Sequence, residues 1–159
     1  MIEPLLPFYQ YLNKIYKNNN NVEIYNCALD ENENTTKIYF KNNEMDIGLT
    51  SLIEKWDDRP NTHFENSQTI VTKKFNNLIK DTNIDILSLD TEAKDWDIIK
   101  SIDFDRYNIT LICTEIGWTD LNNKIFDFLH NKGYSLIHKT ADNFIFEKRG
   151  AIWTIICQL

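Results

Sequence analysis

The stretch ILSLDTEAKDW, at residues 86–96, decides the fold because an apolar run ends there in a cluster of acids. The run begins at Ile84 as IDILSLD, and such a near-continuous apolar segment is typical of a strand buried on both faces in a parallel sheet. The residues that follow, DWDIIKSI, place isoleucines at helical spacing. The sequence therefore predicts a buried strand, a turn that carries Asp90 and Glu92, and then a helix.

Strands and helices alternate on both sides of this stretch. Apolar residues recur at helical spacing at 8–18 and 120–133. Strand-like patterns occur at 22–29, 37–40 and 109–116. Residues 68–80 suit a strand and then a short helix, and residues 134–148 predict an antiparallel hairpin. This order indicates an α/β domain with a mainly parallel sheet and the hairpin at its edge.

The acids after the central strand are candidate ligand-binding residues. In open α/β sheets, ligands bind outside the carboxyl ends of the strands, which is where Asp90 and Glu92 lie. A simpler alternative is that these carboxylates cap the following helix, where a negative charge gains about 0.3–1 kcal/mol. Asp95 and Asp97, farther along that helix, are expected to be surface charges.

Composition excludes several classes of partner. The chain has 159 residues, a length that suits one domain, and a formal charge of -7, which leaves no basic surface for nucleic acid. No signal peptide pattern opens it, and no apolar run reaches the roughly 20 residues that span a bilayer, so we expect a soluble, cytoplasmic protein with no membrane partner. The cysteines Cys27, Cys113 and Cys157 lack metal-site spacing, which predicts buried free thiols and no metal site.

An ordered set of stretches resembles the FkbM family of S-adenosylmethionine-dependent methyltransferases. The best of them is the segment at 84–116, IDILSLDTEAKDWDIIKSIDFDRYNITLICTEI, in which a strand, a helix and a strand ending in Glu follow the family's order. The others are IEP at 2–4, NCALDE at 26–31, IGLTSL at 47–52, VTKKFNNLI at 71–79 and GYSLIHKTADNFIFEK at 133–148. The resemblance implies a class I methyltransferase domain over residues 1–150, a Rossmann-like three-layer sandwich.

The resemblance also implies roles for individual residues. Glu3 would accept hydrogen bonds from the ribose hydroxyls of S-adenosylmethionine, and Ala28 and Leu29 would line the adenine slot. Asp90 would stand near the sulfonium and the acceptor hydroxyl, where a carboxylate favours a cation or assists proton removal.

On the acceptor side, Glu92 and Glu115 would flank the bound substrate as further catalytic residues. The implied reaction is O-methylation of a hydroxyl on a small molecule or sugar.

The sequence departs from the family pattern at its start. Family members open with a strand and a glycine-containing loop that wraps the cofactor, whereas this chain begins after both, and Ala93 stands where the family usually has Gly. The resemblance thus implies a domain truncated at its N-terminus and lacking its first strand. A non-catalytic remnant that serves as a binding or assembly module, and one half of a split enzyme, are the alternative functions, with a homodimer or a complementing chain as partner.

The tail at 151–159, AIWTIICQL, is apolar beyond the last predicted strand. It is too short to cross a membrane. We expect it to pack on the sheet or to seek a partner, filling a strand position in its own chain or in a dimer mate.

Overall fold

A computed structural model describes residues 1–40, 50–52, 66–91, 94–115, 121–140 and 143–151. Its elements are α1 (Leu6–Tyr16), β1 (Ala28–Leu29), β2 (Thr35–Phe40), β3 (Thr50–Ser51), β4 (Asn66–Lys73), α2 (Phe75–Leu78), β5 (Asn83–Leu89), α3 (Asp95–Ser101), β6 (Asn108–Glu115), α4 (Leu121–Asn131), β7 (Tyr134–Lys139) and β8 (Asn143–Lys148). The chain divides into two compact units. The first unit comprises Met1–Lys80 and Thr91–Ile102, and the second comprises Asp81–Asp90 and Asp103–Leu159.

The first unit is built on a four-stranded mixed sheet in the order β1-β4-β2-β3. The pair β1/β4 is parallel, whereas β2 runs antiparallel to both β4 and β3. Its apolar core consists of one residue just before a helix and three strand residues: Leu5, Ala28, Ile38 and Ile70. The partly buried side chains of Phe8, Phe40 and Leu52 pack against this core. A parallel bridge between Ile2 and Tyr25 lies outside the named strands.

Helix α1 begins within two residues of the predicted start. Pro7 occupies the first turn, where its missing N–H costs no helical hydrogen bond. The helix buries none of its own residues, and Tyr11 and Ile15 are exposed by 61% and 52%. Its attachment to the core therefore relies on Leu5, just before the helix, and on Phe8.

The second unit contains a four-stranded mixed sheet in the order β5-β6-β8-β7. The strands β5 and β6 are parallel, and β8 runs antiparallel to β6 and to β7, which confirms the predicted C-terminal hairpin. Helix α4 packs on the face that carries Phe146, whose ring meets the ring of Phe126 edge-on at 5.8 Å. Leu129 of the same helix is fully buried.

The α/β class predicted from the sequence is confirmed. Both described sheets are mixed, with one parallel pair of strands each. The strand at 84–90 forms as predicted, but burial on both of its faces was wrong, because Ile86 is 63% exposed. The physical reason is that β5 is an edge strand in the described part of the sheet. The strand expected at 22–29 is reduced to β1 and the bridge at Tyr25.

A buried phenol ties β7 to the middle of the second sheet. The Tyr134 hydroxyl donates to the carbonyl oxygen of Ile109 at 2.7 Å, and the side chain is 1% exposed. Burial raises the pKa of Tyr134 to about 12, because the ionised phenolate would lose its water. The neutral phenol is therefore the form that the folded chain holds.

We predict that Tyr134→Phe lowers the free energy of unfolding by about 1–2 kcal/mol, because the buried carbonyl of Ile109 loses this donor. The folded pKa lies above the unfolded value of about 10, so the contribution is present below pH 10 and is lost as the pH rises toward 12. Denaturant titrations at pH 8 and pH 11 measure both effects. Tyr16→Phe, which removes an exposed hydroxyl, is the control, and an equal loss in both variants would contradict the prediction.

Candidate functional site

Two of the predicted acids lie side by side at the carboxyl edge of the second sheet. Leu89 of β5 pairs with Thr114 of β6, so the next residues along the two parallel strands are Asp90 and Glu115. Neighbouring strands lie about 4.8 Å apart, which brings the two carboxylates to adjacent positions. Asp90 is exposed and Glu115 is half-buried. The edge therefore presents negative charge to a ligand that approaches from solvent.

Glu92 was predicted to join these two acids. Glu92 and the neighbouring Ala93 lie outside the described residues. The catalytic role of Glu92 stays a prediction.

Glu3 follows the bridge residue Ile2 in the first unit. Its backbone N–H donates to the carbonyl of Tyr25 at 3.0 Å, and Asn26 Nδ2 donates to the carbonyl of Glu3 at 2.9 Å. Its carboxylate Oε1 accepts from the backbone N–H of Leu5 at 2.8 Å. Burial raises the pKa of the Glu3 carboxyl, and the bond from Leu5 offsets only part of that rise. Further hydrogen-bond donors would thus stabilise the ionised form of the Glu3 carboxylate.

Ala28 and Leu29 form β1, which pairs with the end of β4. Their exposed fractions are 8% and 7%, and Ala28 belongs to the core of the first unit. This packing leaves little of either residue accessible to a ligand. The adenine role of both residues stays a prediction.

The sequence did not reveal a network of ion pairs around the end of β1. Lys94 Nζ lies 3.8 Å from Asp30 Oδ1 and 3.2 Å from Asp97 Oδ2, while Lys100 Nζ lies 2.8 Å from Asp97 Oδ1 and 3.1 Å from Glu31 Oε2. The chain thereby links helix α3 to the two acids that follow β1. The spacing of Lys94, Asp97 and Lys100 by three residues was the available signal, because it places them on one helix face.

The charged groups in this network change each other's pKa. Partial burial raises the pKa of the Asp97 carboxyl, but hydrogen bonds from Lys100 and Lys94 outweigh it and the net pKa is lowered. The pKa of Lys100 is raised by its bonds to Asp97 and Glu31. Both shifts favour the charged forms.

Asp95 was expected to be a surface charge, and that was wrong. It is 4% exposed, and its Oδ1 accepts from the backbone N–H of Thr91 at 3.0 Å and from the Thr91 hydroxyl. Buried carboxylates persist where such donors replace water. Asp95 therefore holds Thr91 against the start of α3 within the first unit.

Neither a metal cluster nor a membrane span is found in the part of the chain that the structure describes. No three His, Cys, Asp or Glu side chains there lie close enough together to hold a metal ion. No described helix is both long and apolar enough to cross a bilayer.

Comparison with known families gives one match. The family model of the methyltransferase FkbM domain matches residues 1–136. The chain belongs to the FkbM methyltransferase family. No curated protein and no solved structure matches it. The match covers both groups of candidate residues in this FkbM domain, Glu3 with β1 and Asp90 with Glu115.

We predict that Asp97→Asn destabilises the FkbM domain by about 0.5–1 kcal/mol at neutral pH, a small value because the pairs are partly exposed. The pKa of Asp97 is lowered in the folded chain, so its contribution is present above about pH 4 and is lost as the pH falls through the folded value. Urea titrations at pH 7 and pH 3.5 give the difference. Asp105→Asn removes an exposed acid and should stay within about 0.5 kcal/mol of the parent chain. Equal effects of the two variants at pH 7 would refute the role of the network.

Proposed function

We propose that this chain binds S-adenosylmethionine and serves O-methylation of a hydroxyl on a small molecule or sugar. The family match supports methyl transfer, and the observation that carries the proposal is the pair of acids at the ends of the parallel strands β5 and β6. The Rossmann-like three-layer arrangement, with a mainly parallel sheet, is part of the proposal. When bound, the cofactor supplies an electrophilic methyl group on a positively charged sulfur.

The chemistry of Glu3 fits the ribose end of such a cofactor. Two vicinal hydroxyls are best held by a pair of acceptor oxygens on one group, which a carboxylate supplies. Glu3 Oε1 already accepts from Leu5, which orients the carboxylate, and partial burial raises the pKa of the Glu3 carboxyl. Hydroxyl donors would lower the free energy of the ionised form and so strengthen binding.

Asp90 and Glu115 suit the sulfonium of the cofactor and the hydroxyl of the methyl acceptor. A carboxylate near a sulfonium stabilises the positive charge, and a second carboxylate accepts the proton that the acceptor hydroxyl loses. Because methyl transfer is an in-line displacement, the remaining task of these residues is to orient the acceptor oxygen. We propose that Glu92 contributes on the same side, and that the acceptor is the small-molecule partner.

Calorimetric titration with S-adenosylmethionine and with its demethylated product tests the proposed roles of Glu3 and of Asp90 separately. Glu3→Gln should weaken binding of both ligands by about 10- to 100-fold, because a hydrogen bond to a charged group is worth about 1.5–3 kcal/mol. Asp90→Asn should weaken binding of S-adenosylmethionine by about 3- to 10-fold and leave the product unchanged, because only the former carries the sulfonium charge. Glu23→Gln, an exposed glutamate in the same unit as Glu3, is the control. The absence of heat with both ligands from a folded sample would refute cofactor binding and favour a non-catalytic module.

Affinity should also depend on pH through Glu3. Because the folded pKa of Glu3 is raised and the ligand needs the ionised form, affinity should fall as the pH drops from 7 toward 4.5. The Glu3→Gln variant should lack this part of the pH dependence. Calorimetric titrations of the parent chain and of Glu3→Gln at matched pH values measure this difference. An identical change of affinity with pH in both chains would mean that the ionised group is not Glu3.

A further inference from the structure

The first residues of the chain are tied to the segment before β1 by backbone hydrogen bonds. The N–H of Tyr25 donates to the carbonyl of Met1 at 2.9 Å, and the N–H of Glu3 donates to the carbonyl of Tyr25 at 3.0 Å. These two bonds flank the parallel bridge between Ile2 and Tyr25. Glu3 is therefore held on its N-terminal side by the bridge.

The backbone pairing changes directly after Glu3. Pro4 has no N–H to donate. The N–H of Leu5 donates to Glu3 Oε1 at 2.8 Å, and Leu5 itself is anchored in the apolar core of the first unit, with an exposed fraction of 5%. The short connection through Glu3 and Pro4 thus lies between a bridge and a core residue, with two carbonyl oxygens that can accept from another part of the chain.

The side chain of Asn26 supplies the donor for both carbonyls. Its Nδ2 donates to the carbonyl of Glu3 at 2.9 Å and to the carbonyl of Pro4 at 3.1 Å. A side-chain amide nitrogen carries two hydrogens, so one group can make both bonds. Asn26 is exposed, so this contact consists of the two hydrogen bonds and involves little burial.

We propose that Asn26 is a positioning residue for the nucleoside end of the cofactor, an inference that rests on the ribose-binding role proposed above for Glu3. A carboxylate binds a pair of hydroxyls most tightly when it is held in place beforehand, because ordering a free segment on binding costs affinity. The bridge and the bond from Leu5 hold Glu3 at its N–H and at its carboxylate. Asn26 holds its carbonyl.

The position of Asn26 along the chain extends this role toward the adenine. One residue separates it from Ala28, the first residue of β1, to which the sequence assigned adenine contact. The same side chain that holds Glu3 therefore sets the spacing between the proposed ribose acceptor and β1. Asn26 acts through these neighbours and needs no contact of its own with the ligand.

Amide hydrogen exchange on the ligand-free chain tests the positioning without any cofactor. Asn26→Ala should speed exchange of the Glu3 and Leu5 N–H groups by about 3- to 10-fold, because their bonds open more often once the carbonyls of Glu3 and Pro4 are released. Asn13→Ala is the matched control, since it removes an amide that donates to the carbonyl of Tyr9 at 3.0 Å within α1. It should leave both rates unchanged.

Two results of the exchange experiment would overturn the proposal. One is an unchanged rate at Glu3 and Leu5 in Asn26→Ala. The other is an equal acceleration throughout the paired strands β2 and β4, because that would show a general loss of stability instead of a local release.

Calorimetric titration then connects the position of Glu3 to binding. Asn26→Ala should weaken binding of S-adenosylmethionine and of its demethylated product by the same factor, about 3- to 10-fold, because both ligands carry the same ribose. In the Glu3→Gln background the same substitution should change affinity by less than about twofold, since the carboxylate that Asn26 positions is already lost. Asn13→Ala should leave both affinities unchanged.

The outcomes separate this role from the proposed function. Binding by the parent chain that Asn26→Ala does not alter, or an equal loss in the parent and Glu3→Gln backgrounds, would overturn the positioning role and leave cofactor binding intact. No binding by the parent chain would refute cofactor binding itself and, with it, the role of Asn26.

Discussion

The parallel pairing of β5 with β6 is the constraint on which the candidate site depends. Its register sets Leu89 opposite Thr114, and that alignment makes the strand ends level and brings Asp90 next to Glu115. A slip of one residue would turn each side chain of β5 to the other face and separate the two acids. Within the first unit, the backbone N–H of Thr91 donates to the buried carboxylate of Asp95.

In the first unit, acidic residues are paired with lysines. The acids that follow β1, Asp30 and Glu31, form ion pairs with Lys94, the N-cap residue of α3, and with Lys100 of α3. The Glu3 carboxylate instead accepts a hydrogen bond from the backbone N–H of Leu5, and its partial burial raises its pKa. Asp30 and Glu31 are thus held by lysines, and Glu3 by a backbone N–H.

The sequence predicted those features that depend on local pattern. Alternation and apolar runs located β5, β6 and the β7–β8 hairpin, because strand periodicity is a property of a few neighbouring residues. The ordered motifs led to the family, which the match over residues 1–136 confirms. What the pattern missed depends on contacts distant along the chain. The exposure of Ile86 follows from the position of β5 at a sheet edge, and the pairs between α3 and the residues after β1 join segments more than sixty residues apart, which no local spacing encodes.

In the part of the chain that the structure describes, β5 lies at the edge of its sheet, and this position bears on how the chain behaves at high concentration. Unpaired N–H and C=O groups along an edge strand form a template for any extended segment, and the β5 sequence NIDILSL combines β-branched and leucine side chains with a single charge, at Asp85. That one carboxylate is the only electrostatic repulsion within the strand when two such edges meet. Association of crowded, partly folded chains along β5 would therefore meet little charge repulsion, and buffers that screen charge would reduce it further.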